Sequence, residues 1–250
     1  MKRPLLDYYG GKWAIAEKII NFFPEHKSFV DVFTGSGSIL FRKNRSKNEI
    51  INDKHDEVFN LFSVLRENNY ELSEKLKKTP YSRTEYAACR EKSADKIEQA
   101  RRTIVKSWFG IGDSLDNKTG FRVSLSQGGS TTKPWVEYGD YLHLYASRVR
   151  GVIIENMDYQ KLIERYDKTD TFFYIDPPYL NETRSKKSAY LHDWTEKDHE
   201  HLLNLLPKIK GKYLLSGYET SMYSKMGVPI KINGRSNNGK ATIECLWKNY

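Results

Sequence analysis

The stretch from Thr171 to Glu182 reads TFFYIDPPYLNE. A β-prone apolar run ends in an acid, Asp176, then Pro177, Pro178 and Tyr179. Proline lacks the N–H that a ladder needs, so the pair marks the end of a strand. A carboxylate beside a rigid Pro-Pro step is a fixed acceptor platform. Amino groups on purine or pyrimidine rings are poor nucleophiles, because their lone pair delocalises into the ring. An acid and a neighbouring carbonyl can each accept one N–H, which leaves the lone pair aimed at an electrophile. Tyr179 can stack on the ring plane. Standing alone, the same residues also read as a proline-rich turn.

Two more strand ends carry chemistry. In DVFTGSGS (31–38), Gly35 and Gly37 permit a tight turn and a close backbone approach to a ligand. The spacing is neither the dinucleotide fingerprint nor a P-loop, since Leu40 stands three after Gly37 and the Gly-Lys-Ser/Thr ending is missing. A plain turn fits it as well. In INDKHDE, Asp53 ends the next apolar run, where an acid can accept bonds from both hydroxyls of a ribose; a helix cap is the bland alternative.

These tips need strands and helices to position them. Residues 12–23 have helical spacing, with Ile15, Ile19, Ile20 and Phe23 on one face. Strands are expected at 28–33, 49–53, 151–157, 171–175 and 212–218, with helices after the glycine turn and over 56–68, 158–166 and 195–209. Thr195 and Asp198 form a capping box for the last of these. VPIKING and TIECLWKNY read as two final strands joined by GRSNNGK. The alternation predicts an α/β fold, a Rossmann-like, mostly parallel sheet with an antiparallel edge. From about Thr79 to Arg150 the texture changes to charged helix followed by a glycine- and serine-rich stretch, which predicts an inserted, mainly helical module over about 66–150. The domains are therefore expected as 1–65 with 151–250, and 66–150.

The chain has 250 residues and a net charge of +9, which favours a polyanionic partner. Two cysteines without a CxxC argue against a disulfide scaffold and fit a reducing cytoplasm. The N-terminal segment has no apolar core of a signal peptide, and no run approaches membrane-spanning length. His192, His199 and His201 lie near Asp193 and Asp198, but His199 and His201 are two apart on a predicted helix and face apart, so no metal is expected.

Taken together, YYGGK (8–12), DVFTGSGS, IND (51–53) and DPPY (176–179) stand in the order seen in Dam-type (D12 class) DNA adenine-N6 methyltransferases, which the chain resembles over nearly its whole length. The resemblance implies a methyltransferase fold whose inserted module recognises the target. It implies S-adenosylmethionine as cofactor, contacted by Tyr8 and Lys12, with Lys12 near its carboxylate. Asp31, Phe33, Gly35 and Gly37 would line the methionine side, Asp53 the ribose, and Asp158 and Tyr159 the cofactor adenine. Asp176, Pro177 and Tyr179 would hold a flipped adenine, Asp176 also facing the cofactor. The family often has Trp at the position of Tyr8, and Gly or Val at that of Thr34. Double-stranded DNA is the implied partner, with Arg122, Lys133, Arg235, Asn237 and Asn238 as candidate contacts. A restriction endonuclease partner and the oligomeric state stay open. So do another nucleobase amine (RNA adenine or cytosine-N4) as target and a catalytically silent DNA-binding relative.

Overall fold

The computed structural model describes residues 1, 3–8, 10–112, 115, 119–123, 132–179, 194–235 and 241–250, with Arg235 described by its backbone alone. Seven strands form one sheet: β1 (Ser28–Asp31), β2 (Asn48–Asn52), β3 (Ile153–Glu155), β4 (Thr171–Ile175), β5 (Lys212–Gly217), β6 (Ile230–Arg235) and β7 (Ala241–Lys248). Their order is β3-β2-β1-β4-β5-β7-β6. The first five run parallel, and β7 pairs antiparallel with both β5 and β6. Chain order reverses between β1 and β4, whose registers put Val30 beside both Ile50 and Phe173. Such a switch point opens a crevice beyond the carboxyl ends of the strands.

All five residues of β4 are buried, as expected of a parallel strand covered on both faces. The two-residue period divides them. Phe173 and Ile175 pack with Tyr213, Leu215 and the helices α9 (Tyr159–Tyr166) and α10 (Glu196–Leu205). Phe172 and Tyr174 face α1 (Ala16–Ile20), Phe29 and Leu246. The expected capping box is present at α10, where Asp198 accepts from the Thr195 N–H at 2.8 Å.

A second helical layer covers the other end of the sheet. It comprises α2 (Ser38–Arg42), α3 (Asp56–Glu67), α4 (Asn69–Lys77), α5 (Arg83–Ala88), α6 (Lys96–Phe109), α7 (Lys133–Val136) and α8 (Tyr138–Val149). One apolar cluster joins Leu40, Phe41 and Ile51 to Leu61, Phe62, Leu72, Ile104, Leu142 and Val149. An ionic clamp ties α8 to the start of β2. Glu49, 3% exposed, accepts from both Arg148 terminal nitrogens at 2.6 and 2.7 Å and from Lys43 at 2.6 Å. Burial opposes the Glu49 charge, but these cations outweigh it and hold the carboxyl below its usual range. Among the described residues, no helix is long and apolar enough to cross a membrane.

Two elements differ from expectation. The first helix spans only Ala16–Ile20 rather than 12–23. Pro24 disfavours helix at Phe23, and the Lys12 side chain is drawn away into the sheet's crevice. Helix α8 goes beyond the expected elements; its buried face is Tyr138, Leu142, Tyr145, Ala146 and Val149, in which aromatics and a small residue blur the apolar period.

Gly37 starts α2 with φ of +70°, and an added Cβ would stand 2.7 Å from the Phe41 ring and 2.8 Å from that of Phe62. Gly37→Ala should therefore lower stability by about 2 kcal/mol or more, because both the backbone and the packed rings resist it. Equilibrium urea unfolding of the two proteins measures the loss.

Candidate active site

The crevice is a cavity of about 300 Å3. The three strand tips that were chemically loaded in the sequence reach it: Asp31 at the end of β1 with Phe33 and Gly35 after it, Asp53 after β2, and Asp176, Pro177 and Tyr179 after β4; Asp158 and Tyr159, which the resemblance implied, reach it after β3. Tyr8 and Lys12 reach it from the N-terminal segment. Gly37 is absent from the cavity wall; its lack of a side chain serves the Phe41–Phe62 packing instead.

Hydrogen bonds lock the tips together. Asn52, 2% exposed, donates to the carbonyls of Val32 and Met157 at 3.0 and 3.1 Å and accepts from the Met157 N–H at 2.9 Å. It thereby fastens the segments after β1 and β3 to β2. Next to it, Asp53 accepts from the Gly35 N–H at 2.8 Å and from the His55 N–H at 2.9 Å. The Asp53 carboxylate is thus held in one orientation, and it bridges the glycine turn to the start of α3. Gly35 has φ of +50°, and a Cβ there would come 3.2 Å from the Tyr8 ring. Asp158 caps α9, accepting from the Gln160 N–H at 2.9 Å, and pairs with Lys54 at 3.7 Å.

An aromatic wall stands beside these acids. The Trp194 ring lies 5.1 Å from Phe33, edge to face, and 5.0 Å from Tyr159. Further in, Asp31 is 2% exposed, and its Oδ1 finds no hydrogen-bond partner among the described residues. Burial, and then the like charges of Asp176 and Asp53, push its carboxyl well above the usual range.

The tip of β4 closes the cavity. Lys12 Nζ lies 2.8 Å from Asp176 Oδ1 and 2.7 Å from Oδ2, donates to the Gly10 carbonyl at 3.0 Å, and donates to the Tyr179 hydroxyl. The Tyr179 hydroxyl donates onward to Glu244, 3.3 Å from either carboxylate oxygen. The Ser216 hydroxyl also donates to Glu244. Burial raises the Asp176 carboxyl to about 7, with Lys12 opposing the rise and Glu244 adding to it. Burial works against the Lys12 charge too, but Asp176 and Glu244 outweigh it and the ammonium titrates above its ordinary range. Lys12 was expected near a ligand carboxylate; in this structure its partners are the protein's own acids.

Arg122 is engaged internally, with its Nη1 on Asp7 and its Nε donating to the Gly110 carbonyl at 3.0 Å. Lys133 is exposed at the start of α7. Arg235 ends β6, and Asn237 and Asn238 lie outside the described residues. Among the described residues, no group of three His, Cys, Asp or Glu could hold a metal. His199 instead is buried against the Tyr223 hydroxyl at 2.7 Å. Sequence reasoning missed Asn52, Trp194, Ser216 and Glu244. For Glu244 a signal exists: an acid inside the apolar strand TIECLW has no reason to be buried unless something charged awaits it.

A family model described as D12 class N6 adenine-specific DNA methyltransferase matches residues 8–228. The chain belongs to that family. It is also 27% identical over 188 residues to a curated DNA adenine methylase of Haemophilus influenzae, an alignment covering 71% of this chain. The chain spans 64% of the length of that relative. The family match includes the YYGGK segment, the glycine turn, Asp53 and the DPPY tip, and it ends before β6 and β7, so Glu244 lies beyond it.

The electrostatics of the tip can be read directly. In Lys12→Met, burial acts on Asp176 without its opposing ammonium, so the carboxyl should titrate above about 7. The midpoint of the Asp176 carboxylate carbon in an NMR pH titration, assigned with Asp176→Asn, checks this.

Proposed function

We propose that this protein transfers a methyl group from S-adenosylmethionine to N6 of adenine in double-stranded DNA. The reading rests on family membership and, above all, on one observation: a half-buried carboxylate at a strand tip, fixed beside two prolines and paired with the buried Lys12 ammonium.

The cavity's groups suit the cofactor. Asp31, in the cavity wall with Tyr8 and Gly35, suits its amino group. Asp53, oriented by two backbone N–H groups, retains lone pairs for the ribose hydroxyls. Phe33, Tyr159 and Trp194 suit an adenine ring, with Asp158 at their edge. When bound, S-adenosylmethionine supplies an electrophilic methyl on a sulfonium.

The protein's own work is positional and electrostatic. The ionised Asp176 accepts one N6–H of the target, and a main-chain carbonyl of the Pro-Pro step accepts the other. The nitrogen lone pair is then turned out of conjugation. As N6 gains positive character, its bond to Asp176 strengthens, which lowers the barrier selectively. No strong general base is required, because the product ammonium is acidic and loses its proton afterwards. The aromatic ring of Tyr179, held at its hydroxyl, offers a stacking edge for the extruded base. Residues 66–150 would supply target recognition, with exposed Lys133 among the phosphate contacts.

Incubation with duplex DNA and isotopically labelled S-adenosylmethionine, followed by mass analysis of the nucleosides, tests the reading. N6-methyldeoxyadenosine is expected, and labelled N4-methylcytosine, or no label, would refute it.

The mechanism has its own consequences. Asp176→Ala should cost about 3 kcal/mol or more in the single-turnover transfer rate, because an acceptor used most in the transition state is gone. Duplex binding, read in a parallel titration, should survive. In the wild type, kcat/KM should rise with pH through about 7 and then level off, because a protonated Asp176 donates where it must accept. A flat profile between pH 5.5 and 8.5 would contradict this role.

A further inference from the structure

Resting on the methyl-transfer reading, and extending it, is a role for a carboxylate from the antiparallel edge of the sheet. We infer that Glu244 is a positioning residue: it is the second seat of the Lys12 ammonium, which must release Asp176 before a target amine can be held there.

Both oxygens of Asp176 lie against one ammonium, at 2.8 and 2.7 Å. In that arrangement Lys12 competes with the amine for the acceptor. Removing the ammonium altogether is no solution, since burial would then keep Asp176 protonated. The site needs Lys12 close by, but not on both oxygens. Glu244 Oε1 already stands 3.7 Å from Lys12 Nζ, within ion-pair reach. The Tyr179 hydroxyl lies between the two, receiving from Lys12 and donating to Glu244. Ser216 holds the near oxygen of Glu244 in place.

Glu244 is 6% exposed, in a strand whose next three residues, Cys245, Leu246 and Trp247, are all buried. A carboxylate there is costly unless a cation answers it, and its nearest described cation is Lys12. The two acids therefore share one positive charge. Movement of Lys12 towards Glu244 exchanges one buried ion pair for another and leaves neither acid uncompensated. It frees Asp176 while keeping a positive charge near enough to hold the carboxyl ionised. Among the described residues, the titratable groups set against Asp176 are Lys12, Asp31, Tyr174, Tyr223 and Glu244, with Tyr179 and Tyr218 beside Lys12; Lys12 is the cation among them.

Glu244→Gln keeps the shape and one accepting oxygen but removes the charge. Lys12 should then stay on Asp176. Two effects are expected in the folded variant, whose integrity is checked by thermal unfolding. The Asp176 midpoint in the carbon NMR titration, measured without any substrate, should move to lower pH, because the neighbouring negative charge no longer pushes it up. Single-turnover methyl transfer at pH 8 should slow by about tenfold, the worth of one hydrogen bond's stabilisation, while affinities for S-adenosylmethionine and duplex DNA stay unchanged. Glu244→Asp should recover part of the rate. In a Lys12→Met background, Glu244→Gln should cost nothing further.

An unchanged Asp176 midpoint in Glu244→Gln would overturn the inference. So would a rate loss that Glu244→Asp shares in full, which would mark a packing role. A wild-type protein that labels no adenine would refute the parent reading; the substrate-free Asp176 midpoint would still decide whether Glu244 acts on Asp176.

Discussion

One buried ammonium answering two carboxylates, one buried and one half-buried, is the constraint around which this protein is arranged. Lys12 comes from the N-terminal segment, Asp176 from the tip of β4 and Glu244 from β7. None of the three is tolerable alone at that depth, since an isolated charge in a low dielectric either finds a partner or changes protonation. The arrangement therefore requires three distant parts of the chain to be folded at once. It also accounts for the short first helix, whose expected first turn gives way so that Lys12 can turn into the crevice. The antiparallel edge has a related consequence: β7 lies against β5, pairing Ser216 with Leu246, and so carries Glu244 to within reach of Ser216 and Tyr179.

Around that centre the parallel strands act as a ruler. Side chains alternate along β1 and β4, so apolar residues fill both faces and polar ones begin where the strands stop. Loose tips would waste this geometry. Asn52 and Asp53 prevent it by satisfying backbone groups of three neighbouring segments at once. Buried main-chain donors and acceptors need partners, and here side chains from one strand end supply them to the next. Asp31 is the exception. Its Oδ1 has no partner among the described residues, and burial with two like charges disfavours it as an anion, so it does not serve stability as Asn52 and Asp53 do.

Much of this was legible from the sequence because it is local. The β4 tip, the glycine turn, Asp53 and the Thr195–Asp198 box depend on residues close together in the chain. The sheet class followed from alternation, and the parallel core with its antiparallel edge is present. What was not legible depends on long-range pairing. Lys12 and Asp176 are 164 residues apart, and nothing in YYGGK says that its lysine will meet the acid of DPPY. Glu244 and Asn52 read as ordinary strand residues until their neighbours across the sheet are known. Arg122 read as a free cation, because Asp7, its partner, lies 115 positions away.

Arg122 also bears on how a basic composition should be weighed. Lys12, Lys43, Lys106, Arg101, Arg122 and Arg148 all sit in buried or half-buried ion pairs with acids of the same chain. Each pair cancels in the far field and adds little to attraction for a polyanion. The net charge of +9 is unaffected by this pairing. Among the described residues, exposed Lys27, Lys54 and Lys231 also pair with acids, so attraction for a polyanion rests on the net charge rather than on any single cation. Interior cations do a different task. At the β4 tip Lys12 opposes the burial that raises the Asp176 carboxyl, and the protonation of that carboxyl decides whether Asp176 accepts a hydrogen bond or donates one.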